Sequence, residues 1–412
     1  MNLADSIAQC VLTRYDRLPR SCKPLRRANG KEEWTVLAGI VLRKDEQLLC
    51  ISLGTGVRCL PHEQLPKHGD ILHDCHAEVL AKRGFRRWLY TQLESIQHSP
   101  EHAWFSACGS GRWRMHSNVK VHLYISTLPC GDASMTASAL LQDPQTALIM
   151  ATTGRPGIAK DWSSLHSAEE PNGLLRGRTQ FNARGLRTKP GRLDAPSTSC
   201  MSCSDKIASW ICTGLQGALL SRFFEPIYLS SIVIGETAQI AALGNPDSLE
   251  AMMADCQSAF NARTAIHRQL ADLYDATVAF CSITYDRSRL QLKSSMSAED
   301  IVPATEATSW IEGSEPEALY AGCRRGARPD REHALAHKKR SRLCKVSFLE
   351  AYCKLTEESS VEYHQAKQSS HAGTMAYRHA KECLRTGPFS AWLVTSEATG
   401  RFRLPPGGNN DT

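Results

Sequence analysis

No apolar run in this chain approaches the roughly 20 residues that a helical membrane span needs, so an integral membrane protein of that kind is not expected. The opening stretch, MNLADSIAQCVLTRYDRLPR, lacks the apolar centre and small-residue cleavage site of a secretory signal; it is amphipathic and mixed in charge. The 16 cysteines are scattered rather than tightly spaced, so a disulfide framework is not expected either. Together these absences predict an unsecreted chain, in cytoplasm or nucleus, whose thiols stay reduced and in part available to a metal. Internal repeats are also missing. What remains is the composition of a soluble globular protein, 42% hydrophobic and 22% charged, with 412 residues to form one large domain or two to three ordinary ones. The net charge of +7 permits a polyanionic partner without requiring one. Cations recur from Arg155 to Arg192 and again in HKKRSRLCK (337–345), although such clusters are as often plain solvated surface.

Periodicity places strands at 34–42 (WTVLAGIVL), 47–54 (QLLCISLG) and 119–129 (VKVHLYISTLP), the last ending at Pro129 before a short helix. A long helix is expected from about Cys75 to Leu93, with Val79, Leu80, Phe85, Trp88 and Leu89 on its apolar face. Between Gln142 and Ser199 the pattern dissolves into Gly, Pro, Ser, Arg and Asn, a length of irregular chain that is often functional. Beyond it lie a helical run over CSDKIASWICTGLQGALLS, an apolar strand at 227–235, a helix near 246–272 and a strand pair near 277–293. Helices over SRLCKVSFLEAYCKL and VEYHQAKQSSHAGTMAYRHAKECL follow, with a frayed tail after Trp392. The strand and helix alternation predicts a layered α/β fold. The expected division is one domain over 1–395, containing a basic loop at 143–199 and C-terminal helices at 341–395, then a tail at 396–412.

Three fragments carry chemistry: CHAE, TLPCGD and SCSDK. They offer His76, Cys130 and Cys203 as a set of one imidazole and two thiolates, which leaves a tetrahedral zinc ion one open position, the pattern of a catalytic rather than a closed structural site. Such an ion lowers the pKa of a water to about 7. Glu78 is not needed as a ligand and is free to carry protons. His76 and Glu78 are two residues apart and share no mid-helix face, so they converge only if the ion sits off the helix tip. Each fragment falls at an expected strand end or helix start. Three helix N-termini are therefore expected to point at one place, where their partial positive charge favours thiolate.

The order H-A-E, P-C-G, S-C-S-D-K resembles the adenosine deaminase domain shared by RNA-editing adenosine deaminases and the tRNA-specific adenosine deaminase 1 family. SLGTG (52–56), LRTK (186–189), GLQGALLS (214–221), EPIYLSSI (225–232), SRLCK (341–345) and YHQAK (363–367) extend the resemblance over most of the chain. Cytidine deaminases and bacterial-type tRNA deaminases instead pair their cysteines in P-C-x-x-C, whereas Cys130 and Cys203 lie about seventy residues apart. IAQ, EWTVLA, RLP and LRTKPGR look like the tRNA enzymes more than the double-stranded-RNA editors, and no stretch resembles a separate double-stranded-RNA module.

The resemblance implies a cytidine-deaminase-like core, a mixed sheet flanked by helices, with a helical C-terminal extension packed around a buried polyanion. It implies zinc-dependent hydrolytic deamination of adenosine to inosine in tRNA, at the adenosine 3′ of the anticodon (position 37) of tRNA-Ala. The alternatives are editing of another structured RNA or a catalytically weak RNA-binding relative. The polyanion it implies is inositol hexakisphosphate, with Lys82, Arg83, Lys206, Trp210, Lys345, Tyr363, Lys367, Lys381 and Trp392 at matching positions. Lys206, Asp74 and Lys189 would relay from it towards the metal. Helical spacing agrees in part, since Arg83 follows His76 by seven residues while Lys206 and Trp210 follow Cys203 by three and seven. A plainer account pairs Lys206 with Asp74 or Asp205. RNA contacts are expected from Arg58, Lys67, Arg178, Arg184 and Arg187, and no protein partner is evident. His73 replaces the family's usual asparagine, as a hydrogen-bonding neighbour or a spare ligand. Cys200 makes CMSC look like a second thiol pair, and Ser209 replaces an arginine that relatives direct at the polyphosphate. Ser134 and Val57 differ from editor residues near the substrate nucleotide.

Overall fold

The computed structural model describes residues 1–96, 102–109, 111–141, 174–176, 184–189, 196, 198–273, 275–330, 332–358, 361–394 and 399–404. Arg178 and most of the expected 143–199 loop lie outside the described residues.

The main sheet has eight strands, numbered here in chain order. β1 (Leu37–Lys44) and β2 (Gln47–Thr55) form a hairpin, followed by β3 (Val119–Ile125), β4 (Ser231–Ile234), β5 (Thr277–Phe280), β6 (Glu306–Ile311), β7 (Glu317–Tyr320) and β8 (Cys323–Arg324). Their spatial order is β5-β4-β3-β1-β2-β6-β7-β8, parallel among β5, β4 and β3 and antiparallel from β3 onward. The sheet is mixed, as the α/β expectation requires.

Helices cover both faces. α1 (Leu3–Asp16) buries Ile7, Val11 and Tyr15 with Leu37, Val41 and Tyr124. α2 (Ala77–Ile96) buries Leu80, Phe85, Trp88 and Leu89 with Ile40, Leu42 and Leu123 on the other face. Each such side chain removed from water stabilises the fold by about 1.5–3 kcal/mol before entropy is counted. α3 (Met135–Leu140), α4 (Cys203–Thr213), α5 (Gly217–Leu220) and α6 (Ser248–Phe260) follow β3 and the loop region. The C-terminal helices are α7 (Lys345–Thr356), α8 (Tyr363–Lys367) and α9 (Ala372–Thr386). α9 packs on α4 and α5, and α7 on α2. No described helix is long and apolar enough to cross a membrane.

Several expectations are corrected. The helical run after Cys203 breaks at Gly214, whose φ of 78° ends α4. The long helix near 246–272 stops at Phe260, where Asn261 turns the chain and its side-chain amide donates to the Ala276 carbonyl. Only the first half of the 277–293 pair is a strand; Arg289–Lys293 is a helix whose N-cap, Ser288, accepts from the Gln291 amide. The tail beyond Trp392 is not all frayed: Phe402 is buried and stacks on Tyr363 with ring centroids 5.1 Å apart.

Two glycines let the layers approach the site. A Cβ on Gly54 would lie 2.6 Å from the Leu80 Cβ and 2.7 Å from the Ala77 carbonyl, so the bare backbone of β2 admits the first turn of α2. Gly131 has φ 111°, and a Cβ there would meet the Ser202 hydroxyl at 2.3 Å.

Candidate active site

α2 starts where β2 ends. The Ala77 amide donates to the Gly56 carbonyl, and the His76 carbonyl accepts from Val79 and Leu80, placing His76 at the helix tip. Pro129 ends the extended chain after β3, and Cys130 follows, its carbonyl accepting from the Ser204 amide at 2.9 Å. Ser202 caps α4 by accepting from the Asp205 amide, so Cys203 becomes the first helical residue. Backbone hydrogen bonds at the first two junctions and the Ser202 cap at the third set the three side chains side by side.

Their donor atoms converge. His76 Nδ1 lies 3.8 Å from Cys130 Sγ and 3.6 Å from Cys203 Sγ, and all three atoms fall within 4.8 Å of one another. Zinc–ligand distances of about 2.3 Å to sulfur and 2.05 Å to nitrogen give a tetrahedral N···S edge of about 3.6 Å, so the triangle fits that ion. Two helix N-termini, of α2 and α4, point here; the third segment, Asp132–Ser134, is a 3-10 turn rather than the expected helix start. The Cys130 thiol is driven well below its ordinary value by its hydrogen bond with Cys203, against burial, with Lys189 and His76 adding to the effect. Glu78 sits in the first turn of α2, 2% exposed, with its charge acting on Cys203.

Beneath the triangle lies Asp74. Its Oδ1 accepts from the His76 amide at 3.0 Å and the Cys59 thiol at 3.2 Å; its Oδ2 accepts from Lys189 Nζ at 2.7 Å and from Lys206 Nζ. Burial opposes the carboxylate, but Lys189, Lys206 and His76 outweigh it and hold Asp74 well below the usual range. Lys189 Nζ also donates to Cys203 Sγ at 2.9 Å. Of the two partners open to Lys206, Asp74 is the one taken; Asp205 instead binds Arg263 and Ser202. Cys59, Asp74 and His76 also cluster, but with two lysines on its carboxylate Asp74 positions ligands rather than serving as one.

Farther along α2 and α4 the charge balance reverses. Lys82 Nζ lies 4.8 Å over the Trp210 ring, Arg83 and Arg86 each 5.0 Å over Phe348, and Lys367 5.3 Å over Tyr363. Arg83 donates to the Leu343 carbonyl and Lys345 to that of Thr399. Among the described residues none of Lys82, Arg83, Arg86, Lys345, Lys367 and Lys381 has a carboxylate partner within ion-pair distance. Burial, with Arg86, Arg83, Lys381 and Lys206 around it, pulls Lys82 well below its ordinary value. Lys345 falls to about 8, chiefly through burial, and Lys381 to about 7 through burial, Lys367 and Arg385. Tyr363 is raised by burial yet lowered on balance by Lys367, Arg86, Lys345 and Arg83. Arg86 Nε and His73 Nε2 are buried without a hydrogen-bond partner. Unpaired cations beside orphaned donors fit a multivalent anion, since they are costly in a core without one.

Other expected site residues fall out differently. His73 joins the cations rather than the metal triangle: burial, Lys345, Arg83 and Lys206 lower it to about 3, so it stays neutral. Trp392 packs on Phe389, with centroids 5.4 Å apart, in a cluster with Leu174, Leu186 and Leu384. Arg187, expected at the RNA, is 0% exposed and pairs with Asp132 at 2.6 Å, so it cannot reach a phosphate; it anchors the loop base instead. Arg184 is half exposed and pairs with Asp255 at 3.2 Å. The Arg58 guanidinium donates to the Ala304 carbonyl at 3.0 Å, and Lys67 is exposed. Cys200 bonds weakly to the His73 carbonyl and pairs with Cys59, outside the triangle. Sequence reasoning missed Arg86, four residues after Lys82 on the same helix face, which was the available signal.

Comparison with known proteins follows the same residues. The model of the adenosine-deaminase (editase) domain family matches residues 52–396. tRNA-specific adenosine deaminase 1 of Schizosaccharomyces pombe is 40% identical over 242 residues, 57% of this chain and 57% of that one. The protein of that name in Drosophila melanogaster is 39% identical over 232 residues, 55% of this chain and 53% of its own. Double-stranded RNA-specific editase B2 of Rattus norvegicus is 36% identical over 244 residues, 57% of this chain and 31% of its own. The matched stretches thus span little more than half of the tRNA deaminases and under a third of the editase.

Proposed function

Because the chain belongs to the adenosine-deaminase (editase) domain family, we propose that it hydrolyses adenosine to inosine in tRNA, consuming water and releasing ammonia. The observation that carries this reading is the triangle of His76, Cys130 and Cys203 with Glu78 beside it at the tip of α2. Zinc in such a site would supply Lewis acidity, lowering the pKa of a water to about 7, with one tetrahedral position left to it. Glu78 takes the proton from the attacking water and delivers protons to the ring nitrogen and the departing amine. Lys189 holds Cys203 by its sulfur and Asp74 holds His76 by its amide, which keeps the donor atoms in register. Burial of Glu78 excludes bulk water from the proton path.

The substrate position we favour is the adenosine 3′ of the anticodon, position 37, of tRNA-Ala, in a compartment of the cell interior. A loop adenosine is partly unstacked already, so extruding it into a pocket costs less than from a duplex. The anion we assign to the cations is inositol hexakisphosphate, whose phosphates would meet Lys82, Arg83, Arg86, Lys345, Lys367 and Lys381.

Glu78→Gln is the direct test. Inosine formation on a tRNA-Ala transcript is expected to fall by about 100-fold to 10,000-fold, the usual worth of a general acid–base group, while zinc content by metal analysis stays equal to wild type. Undiminished inosine formation removes Glu78 from its role. Mapping the inosine in the product to another nucleotide corrects the position but not the reaction.

A further inference from the structure

From Arg14 to Arg26 every third residue is a cation: Arg14, Arg17, Arg20, Lys23 and Arg26. Arg14 turns inward, 3.8 Å over Trp310. The chain then leaves α1 through a 3-10 turn at Arg20–Cys22, bounded by Pro19 and Pro24. This segment is pinned: the Cys22 carbonyl accepts from the Thr308 hydroxyl at 2.7 Å, the Ser21 carbonyl accepts from Arg325, and Cys22 is buried. Its side chains open into a cleft of about 520 Å³ lined by Arg20, Lys23, Pro24, Arg26, Glu32 and Arg287, four cations against one acid. That acid, Glu32, is shared between Arg287 at 2.9 Å and Arg26 at 3.8 Å. Arg20 is exposed and has no acid partner among the described residues.

A second cleft of about 360 Å³ continues from the first, sharing Lys23, Pro24 and Arg26 and reaching Thr55 and Ala304; its two acids, Glu33 and Glu306, are taken by Arg27 and Arg325. Both far residues lead to the active site. Thr55 precedes Gly56, whose carbonyl receives the first amide of α2, and the Ala304 carbonyl receives Arg58. The second cleft is thus joined, through backbone and hydrogen bonds, to the loop that leads into α2. Residues 20–27 lie outside the stretch matched by the family model.

We propose that this cleft binds the phosphodiester backbone of the RNA next to the reacting adenosine, with Arg20 and Arg26 as phosphate contacts and Lys23 and Arg287 setting the field behind them. The assignment rests on the RNA deamination proposed above. Each phosphate contact releases counterions, so it registers as a salt-dependent, sequence-independent share of affinity.

The test compares wild type with Arg20→Glu/Arg26→Glu and with Lys338→Glu/Lys339→Glu, an equal charge change at other exposed residues. Binding of unfractionated tRNA is measured across a potassium chloride series, and inosine formation on a tRNA-Ala transcript is followed in parallel. The cleft pair is expected to weaken binding about tenfold or more near 100 mM salt and to flatten the slope of log K against log salt by about 2. The loss should appear in KM rather than kcat. Arg20→Ala/Arg26→Ala, which only neutralises the contacts, should show the same trend at smaller size and covers the case of a misfolded charge reversal. Unchanged affinity and slope in the alanine pair, or an equal loss from the control pair, overturns the cleft. Wild-type protein that neither binds tRNA nor forms inosine overturns the proposed function and the cleft with it.

Discussion

Asp74 receives four donors on two oxygens: the His76 amide and Cys59 thiol on one, Lys189 and Lys206 on the other. Removing one partner of a buried charge set leaves the others uncompensated, at a cost of about 3–5 kcal/mol. Asp74→Ala is therefore expected to lower stability by about that amount in denaturant titration and to lower zinc retention, because His76 loses its anchor. A stability loss under about 1 kcal/mol would show that the lysines find other partners. The Asp74 carboxylate is held below its unfolded value, so its contribution is complete above the ordinary carboxylate range and fades only as strong acid reaches the folded pKa. Neutral pH changes should leave it untouched. The site was legible at this scale because HAE, PCG and SCSDK are local fragments at element ends. The role of Arg187 was not legible, since nothing local distinguishes a buried arginine from one at a surface until Asp132, far away in sequence, comes to meet it.

At the scale of elements, β1, β2 and β3 could be read as short apolar runs between turn signals, buried on most residues, and α2 by its helical apolar spacing. β6 to β8 could not: EATSWI, EALY and CR are short, and antiparallel neighbours rather than their own pattern define them. Arg289–Lys293, RLQLK, alternates like a strand but is started as a helix by the Ser288 cap. The contact between β2 and α2 sets the catalytic geometry, and Gly54 is its seam. Gly54→Ala should press α2 outward at Leu80 and Ala77, costing about 1–3 kcal/mol in stability. The displaced His76 and Glu78 should lose more in rate than that alone, since a misplacement of about 1 Å can cost about 100-fold. A stable variant at full kcat would show that the seam relaxes elsewhere.

For the whole molecule the governing fact is that cations from α2, α7, α8 and α9 meet without carboxylates. Lys345 and Lys381 fall to about 8 and about 7 in the fold, below the ordinary lysine value. Between those values and about 10.4 the unfolded chain binds more protons, so stability rises with pH by up to about 1.4 kcal/mol per unit for each lysine. Protein stripped of inositol phosphates should thus melt higher at pH 9 than at pH 7 in thermal scans. Refilled protein should be more stable at both and flatter in pH, because an anion restores the lysine charge; identical curves would remove the anion from the fold. The C-terminal segment contributes through Phe402, stacked on Tyr363 and pressed against Gly69. Phe402→Ala should cost about 3–5 kcal/mol in denaturant midpoint analysis.

The same distribution has a consequence for biosynthesis. His76, Cys130 and Cys203 are all polymerised by residue 203, whereas Lys381 follows about 180 residues later, roughly 9–36 s at about 5–20 residues per second. Through that interval a nascent chain already contains its two thiols and imidazole while the C-terminal cations do not yet exist. Synthesis therefore presents the proposed metal ligands first and the last cations assigned to the proposed polyanion well after them.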